Sequence, residues 1–369
     1  MLRFFSFLFV LGNILLLGGC LNDHLDPQQP GGWRTLAELP DSTPFFLVNL
    51  KGELYAGTGN GQYPNLLTKL WQYDAATNAW KAKKDFPGKL TDGLSYFTMN
   101  GKLYVGLSTT GETEPSSNFG LEVYSLNFYE YDPMTDAWKT VASPPTYDIL
   151  PGVRIGSGAI SLNYQQKGVA LWGAYRTGGS QHTKYNLGGV VYDAVKGWNK
   201  VNVSILGSPG FPQIPDNQIQ QQLILNRVMR QNGFGFSVND RIYSGGGDTR
   251  HSSISDPFSE YRELRIEVLA RELYEYEVTE SPESLDLTVS RAIQTPASDY
   301  DLTSARQAFA LGQTGYIIMA NGQLVSFTPD TNQWQKFNNL SSPLVVGTGM
   351  AGKAYFINQT HQLVEYTPN

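Results

Sequence analysis

The sequence predicts a single all-β domain: a ring of six four-stranded antiparallel sheets, a six-bladed β-propeller closed by its own N-terminal strand. Three observations predict it. A set of strand and turn marks recurs six times in fixed order, turn-forming residues are abundant, and the strand wanting from the last repeat is found before the first. Of 369 residues, 41% are hydrophobic and 16% charged, with 38 Gly and 20 Pro, a mixture that suits many short strands joined by tight turns. The formal net charge of -6 is mild and no Lys/Arg run is interleaved with aromatics, so nothing attracts a phosphate backbone and no nucleic-acid partner is expected.

The first residues follow a different logic. Arg3 gives a small positive start, Phe4 to Leu17 is almost unbroken apolar, and Leu17-Gly18-Gly19-Cys20 follows. This is the outline of a signal peptide over residues 1–19. Leu-Gly-Gly-Cys resembles the lipobox of bacterial lipoproteins, which implies cleavage before Cys20 and a diacylglyceryl thioether on its sulfur. A cleaved signal with an incidental cysteine, or an uncleaved anchor, would leave a similar pattern, although the apolar run is short for a membrane span. Two acyl chains would anchor the protein without a transmembrane helix. Residues 20–32, rich in Asp, Gln, Pro and Gly, are expected to form a flexible tether. Leu21 and Asn22 after the cysteine resemble the signal for the outer rather than the inner membrane.

From residue 33 to 369 the repeats take over. The first mark is a turn and a strand ending in an aromatic: Gly52-Glu53-Leu54-Tyr55, Gly101-Lys102-Leu103-Tyr104, Asp240-Arg241-Ile242-Tyr243 and Gly352-Lys353-Ala354-Tyr355, with looser copies ending at Leu171 and Tyr316. The second is an aromatic strand, as in Leu70-Trp71-Gln72-Tyr73, Phe128-Tyr129-Glu130-Tyr131 and Leu363-Val364-Glu365-Tyr366, with further copies ending at Tyr192, Tyr276 and Phe327. The third is a Trp shortly after that aromatic: Trp80, Trp138, Trp198 and Trp334; the fourth repeat lacks one. Asx and Pro residues between the second and third marks favour a tight turn, so each repeat holds a hairpin. An alternating run before each first mark, such as Phe45-Phe46-Leu47-Val48 or Ser95-Tyr96-Phe97-Thr98, supplies a fourth strand.

These marks resemble the kelch family, whose blades carry an inner strand, a strand ending in Tyr and glycines, an aromatic-Tyr-Asp strand and an outer Trp strand. The paired glycines of that family are complete only at Gly245-Gly246-Gly247, where a strand-end turn is expected rather than a phosphate cradle. The sixth repeat ends at Asn369, before its Trp strand. Trp33-Arg34 followed by Pro40 matches Trp80-Lys81 followed by Pro87 and Trp138-Lys139 followed by Pro145, so Trp33 is expected to complete the last blade.

The stretch between the first and second marks is longer in the first four repeats than in the last two, so insertions are expected over blades one to four, on the face that also carries the links between blades. Candidate binding residues follow from this placement. Arg154, Arg230 and Arg306 stand shortly before innermost strands and either line the mouth of the central channel or satisfy carbonyls between blades. His182 and Tyr185 in the third insertion, and Arg250, His251, Tyr261 and Arg262 in the fourth, offer donors and stacking faces suited to a sugar or a carboxylate, or are merely solvated loop residues. Glu260 to Glu277 has alternating charge with apolar residues two apart and is expected to form a solvated hairpin strand or a short helix.

Several chemistries are argued against. The copper radical site of the galactose oxidase branch needs a tyrosine crosslinked to a cysteine, and the single cysteine here is Cys20. The four histidines show no metal-ligand spacing, and no nucleophile elbow, phosphate loop or dinucleotide fingerprint occurs. No cofactor and no metal are expected. The function expected is a lipid-anchored, non-catalytic envelope module presenting its loops to a glycan, peptide or protein partner. The alternative is a carbohydrate-active enzyme resembling the six-bladed sialic-acid epimerases, with Glu260, Glu263, Arg250 and Arg262 to act on a sugar ring.

Overall fold

The structure is a computed structural model and describes residues 32–41, 43–91, 93–113, 122–144, 157–175, 184–185, 188–204, 230, 232–247, 272–296, 300–305, 307–337 and 340–368. Among these residues there is no α-helix. The first sheet runs β2 (Pro44–Leu50), β3 (Glu53–Gly59), β4 (Leu67–Asp74) and β5 (Ala79–Ala82), each strand antiparallel to the next. The second repeats this order in β6 (Ser95–Met99), β7 (Lys102–Thr113), β8 (Glu122–Asp132) and β9 (Ala137–Val141). Near the other end, β20 (Gln307–Leu311), β21 (Thr314–Ile318), β22 (Leu324–Thr328) and β23 (Gln333–Phe337) form another. The last consists of β24 (Leu344–Met350), β25 (Lys353–Asn358), β26 (Gln362–Tyr366) and, on its outer edge, β1 (Trp33–Glu38).

The chemistry of the turns explains the repetition. First and second strands join through two-residue loops at Lys51-Gly52, Asn100-Gly101, Asn239-Asp240 and Ala351-Gly352, where both residues have positive φ. That is the mirror-image turn whose twist matches the flanking strands. Third and fourth strands join through an Asx turn: Asp74, Asp132 and Asp193 each accept from the backbone N–H two residues on, at 2.8–2.9 Å. In the first two sheets the turn ends on a left-handed Asn78 or Asp136, whose carboxyl or amide oxygen accepts from the hydroxyl of Tyr73 or Tyr131 at 2.8 and 2.7 Å.

The third-strand aromatic and the fourth-strand Trp sit opposite each other: Tyr73 with Trp80, Tyr131 with Trp138, Tyr192 with Trp198, Phe327 with Trp334 and Tyr366 with Trp33. Their ring centroids lie 4.6–5.5 Å apart. The indoles also reach the preceding sheet, Trp138 Nε1 donating to Lys84 O at 2.9 Å and Trp198 Nε1 to Ala142 O at 2.6 Å. They wedge neighbouring sheets apart at a fixed spacing. Where the fourth repeat lacks a Trp, Tyr276 faces Val289 instead, and the sheets are joined differently. β10 (Ile160–Tyr164), β11 (Lys167–Leu171), β14 (Gly189–Asp193) and β15 (Gly197–Ser204) share one eight-stranded sheet with β16 (Phe234–Val238), β17 (Arg241–Gly245), β18 (Glu272–Glu280) and β19 (Ser284–Gln294). The two antiparallel halves meet through a parallel pairing of β15 with β19, Lys200–Ser204 against Ser284–Thr288. This merger was not foreseen in the sequence.

The inner strands touch in cyclic order, β2 with β6, β6 with β10, β10 with β16, β16 with β20, β20 with β24, and β24 with β2. Close approach also requires glycine where an inner strand meets the second strand of the next sheet: a Cβ on Gly168 in β11 would lie 2.1 Å from the Phe97 ring of β6, and one on Gly315 in β21 would lie 2.3 Å from the ring of Phe236 in β16. The core is accordingly a series of apolar clusters between successive sheets.

The ring is closed as the repeats predict. β1 pairs antiparallel with β26, Trp33 facing Tyr366, and Gly32 O accepts from Thr367 N at 3.1 Å. Trp33 is buried against Phe337, Phe356 and Tyr366. Beside it Glu365 collects the Tyr355 hydroxyl at 2.9 Å, Lys353 at 2.9 Å and Arg34 at 3.3 Å. Glu130 is treated alike by Tyr104, Lys102 and Lys139 at 2.9, 2.7 and 3.0 Å. Burial pushes both carboxyls up, but these donors outweigh it and hold them below the usual carboxylate range.

Two outcomes are expected. Trp33→Ala should cost about 3–5 kcal/mol of unfolding free energy in urea titrations, since it empties a buried aromatic site and loosens both chain ends at once; a loss below about 1 kcal/mol would mean that the ring does not depend on β1. A carboxyl with a depressed folded-state pKa contributes stability above its unfolded value, near 4.3, and loses it as pH falls through the folded value. Melts between pH 7 and 3 should therefore lose stability mainly below about pH 4.5, and Glu365→Gln should flatten that acid limb while lowering stability at pH 7.

Candidate functional site

The innermost strand of each sheet has one edge paired with its second strand and one edge facing the axis. Unpaired N–H and C=O groups there need partners, and polar side chains of the neighbouring inner strand provide them. Ser161 Oγ accepts from Tyr96 N at 3.1 Å and Asn163 Oδ1 from Thr98 N at 3.0 Å. Ser237 donates to Asn163 O at 2.7 Å, Asn49 to Gly349 O at 3.4 Å, and Gln307 Oε1 accepts from Gly347 N at 3.0 Å. The channel is thus walled by neutral hydroxyls and amides because its own backbone demands them.

The channel is widest at the end where the inner strands begin. A cavity of about 540 Å³ opens there, and a narrower one of about 270 Å³ lies below it, with Tyr96, Ser161, Gly235 and Ala308 common to both. Part of the rim is fixed by backbone. Gly93, Gly158 and Asn232 each stand two residues before an inner strand, have φ of 75, 73 and 55°, and hydrogen-bond in series: Gly158 N to Gly93 O at 2.7 Å, Asn232 N to Gly158 O at 2.8 Å. Gly and Asn are the residues that adopt this backbone at least cost. From the first sheet, the loop 60–66 is tied by its own asparagines: Asn60 Oδ1 accepts from Gln62 and Leu66 N–H, both at 3.1 Å, and Asn65 Oδ1 accepts from Gly61 N at 3.0 Å. Asn65 lines the cavity, and Tyr63 at the loop tip is 99% exposed.

Tyr96 crosses the channel. Its ring lies 5.2 Å from that of Phe46, and its hydroxyl accepts from Gln307 Nε2 at 2.7 Å, from a residue 211 positions away in the chain. Burial pushes its phenol up to about 12, the bond from Gln307 opposing only part of the rise. Among the described residues, no Asp, Glu, Lys, Arg or His lines the mouth cavity, and no group of three His, Cys, Asp or Glu side chains is placed to hold a metal.

Of the residues singled out in the sequence, Arg230 lies among the described residues. It is completely buried, donates through Nη1 to Gly246 O at 2.9 Å, and lies 5.4 Å from the centre of the Tyr274 ring. It is not among the residues lining the mouth cavity, and the carbonyl it meets belongs to its own repeat. Gly246 itself has φ 65°, and a Cβ on it would lie 2.4 Å from Ala305 O, so the glycine run there is a close backbone crossing at a strand end. Tyr185 lies in β13 (Lys184–Tyr185), which pairs with β12 (Ala174–Tyr175) as a small ribbon within the third insertion. Cys20, Arg154, His182, Arg250, His251, Tyr261, Arg262 and Arg306 lie outside the described residues, as do Glu260 and Glu263. The sequence reading passed over Tyr96, Ser161, Asn163 and Gln307. The available signal was the polar residue recurring on strands otherwise apolar enough to be buried.

No protein-family model matches the chain, and no curated protein matches it. Among solved structures, that of YjhT aligns with a TM-score of 0.57 at 13% identity, covering 89% of this chain and 95% of that one. At this identity the likeness shows the fold alone. The sheets, their cyclic contacts and this likeness together define a β-propeller-like protein, and the described residues lining its channel mouth are polar or apolar but uncharged.

Removing the Arg230 guanidinium is expected to leave Gly246 O without that donor in a buried setting. Arg230→Met should cost about 1–3 kcal/mol in denaturant unfolding; no loss would show that the carbonyl finds another donor.

Proposed function

We propose that the protein is a six-bladed, kelch-type propeller held at the cell envelope through a lipid on Cys20, and that it binds an uncharged glycan in the mouth of its central channel. The blade count takes the eight-stranded sheet as two blades, since its halves are each antiparallel and join through a single parallel pairing. Leu17-Gly18-Gly19-Cys20 supports the anchor, and Leu21 and Asn22 favour the outer membrane. In this reading the insertions over the first four blades, with the candidates Arg154, His182, Arg250, His251, Tyr261, Arg262 and Arg306, would add contacts to the outward part of the ligand.

One observation carries the ligand class: a cavity of about 540 Å³ walled by backbone, hydroxyls and amides, with the rings of Phe45 and Tyr124 beside them and no ionisable carboxylate or base among its described lining. Sugars present many neutral donors and acceptors together with apolar ring faces, which such a wall matches without desolvating a charge. Acid–base chemistry on a sugar needs a group that titrates near the working pH. The described wall offers instead a phenol pushed up to about 12.

Full-length protein in detergent micelles, titrated by calorimetry with a panel of neutral and anionic oligosaccharides, is expected to bind a neutral member with little dependence on salt. Asn232→Gly keeps the left-handed backbone at the rim but removes an amide from the wall, and should weaken that binding about tenfold with the melting temperature unchanged. Binding confined to anionic glycans and abolished by salt would overturn this function, as would enzymatic interconversion of sialic-acid anomers followed by NMR.

A further inference from the structure

The hydrogen-bond pattern at the channel floor uses two hydroxyl oxygens as acceptors. Gln307 is held by the Gly347 backbone, its Oε1 accepting from Gly347 N at 3.0 Å while its Nε2 faces Gly347 O at 3.3 Å. That double contact identifies which end of the amide is nitrogen. The same nitrogen donates to the Tyr96 hydroxyl at 2.7 Å. The phenol oxygen is therefore used as an acceptor, and its hydrogen must be given elsewhere. Among the described residues it meets no acceptor. Ser161 stands in the same condition, since its Oγ accepts from Tyr96 N at 3.1 Å. Both side chains line the mouth cavity and the narrower cavity beneath it. The phenol stays protonated at ordinary pH, because burial pushes it up to about 12.

We propose that the Tyr96 hydroxyl is a donor site for an uncharged carbonyl oxygen, and that the bound glycan carries an N-acyl group whose carbonyl enters this floor. This rests on the glycan reading above. A carbonyl oxygen accepts and brings no hydrogen of its own, so it takes the phenol hydrogen without adding a donor. A sugar hydroxyl would bring a hydrogen into a site already furnished with donors. A carboxylate would arrive with a charge that no described residue of the cavity wall compensates. The acyl methyl has apolar neighbours in Phe45 and Ala308, on the same wall.

The test compares chitotriose with cellotriose, which differ at each sugar in the N-acyl group, by calorimetry on the full-length protein in detergent. Wild type is expected to prefer chitotriose about tenfold. Tyr96→Phe should remove most of that preference by lowering the affinity for chitotriose toward that for cellotriose. Gln307→Glu is the second variant. It places a carboxylate oxygen where the amide nitrogen was, so the phenol donates to it and turns away from the ligand, and the preference should again fall while the channel keeps its shape. If Tyr96→Phe fails to fold, Gln307→Glu decides. Equal affinity of wild type for the two trisaccharides overturns the carbonyl site but leaves glycan binding standing, as does a preference that both variants retain. Failure of wild type to bind any uncharged glycan overturns both.

Discussion

Every inner strand of this protein must satisfy a free backbone edge, and that demand shapes both the ring and its channel. A propeller-like arrangement turns the first strand of each sheet toward the axis, where no further strand can pair with it. The unmet groups are met sideways, by Ser161, Asn163, Ser237, Asn49 and Gln307 reaching from one sheet to the next. These bonds stitch neighbouring sheets at their narrow end, as the indoles of Trp138 and Trp198 do at the wide end. They also leave the described wall of the channel polar and neutral. The neutrality on which the proposed glycan reading rests thus follows, for the described wall, from the way the fold is held together.

The outer strands obey the complementary constraint. A Trp opposite a Tyr or Phe fills the widening gap between sheets, and where the fourth repeat has none, Val289 leaves the space to the backbone. β15 and β19 then approach closely enough to pair in parallel, and the Trp198 indole still reaches back to the second sheet. Loss of one side chain is thus answered by a change of pairing, and the order of the ring is kept. The Glu130 and Glu365 clusters add a second recurring device, in which a third-strand Glu gathers a second-strand Tyr and bases from flanking strands. Because Arg34 belongs to β1, the cluster at Glu365 also fastens the strand that closes the ring.

Much of the architecture was legible in the sequence because it is written in local marks. Positive-φ hairpins, Asx turns and aromatic pairs each require particular residues within a few positions, and the repeat of these marks gave the strands, their order and the partner of Trp33. The merger of β15 with β19 was not legible, since nothing local to either strand specifies pairing with the other. The same holds for the floor of the channel. Tyr96 and Gln307 are brought together by ring closure, and neither bears any mark that names the other. Arg230 could be placed near an inner strand, but only its burial and its bond to Gly246 O assign it to the fold.

The two levels of the channel point to different kinds of selection. The rim is built from connections between strands, which can change length and composition without disturbing the ring, and it suits contacts with the outward part of a ligand. The floor cannot vary so freely. Tyr96 contacts Phe46 in the first sheet, Ser161 in the third and Gln307 near the other end of the chain, so a change there disturbs the stitching of several sheets. Donor direction at the floor is therefore set by the same bonds that hold the ring, and it is paid for by the fold before any ligand arrives. A ligand that supplies the missing acceptor gains from that preorganisation, whereas one that supplies another donor leaves a half-buried hydrogen without a partner and loses affinity in proportion.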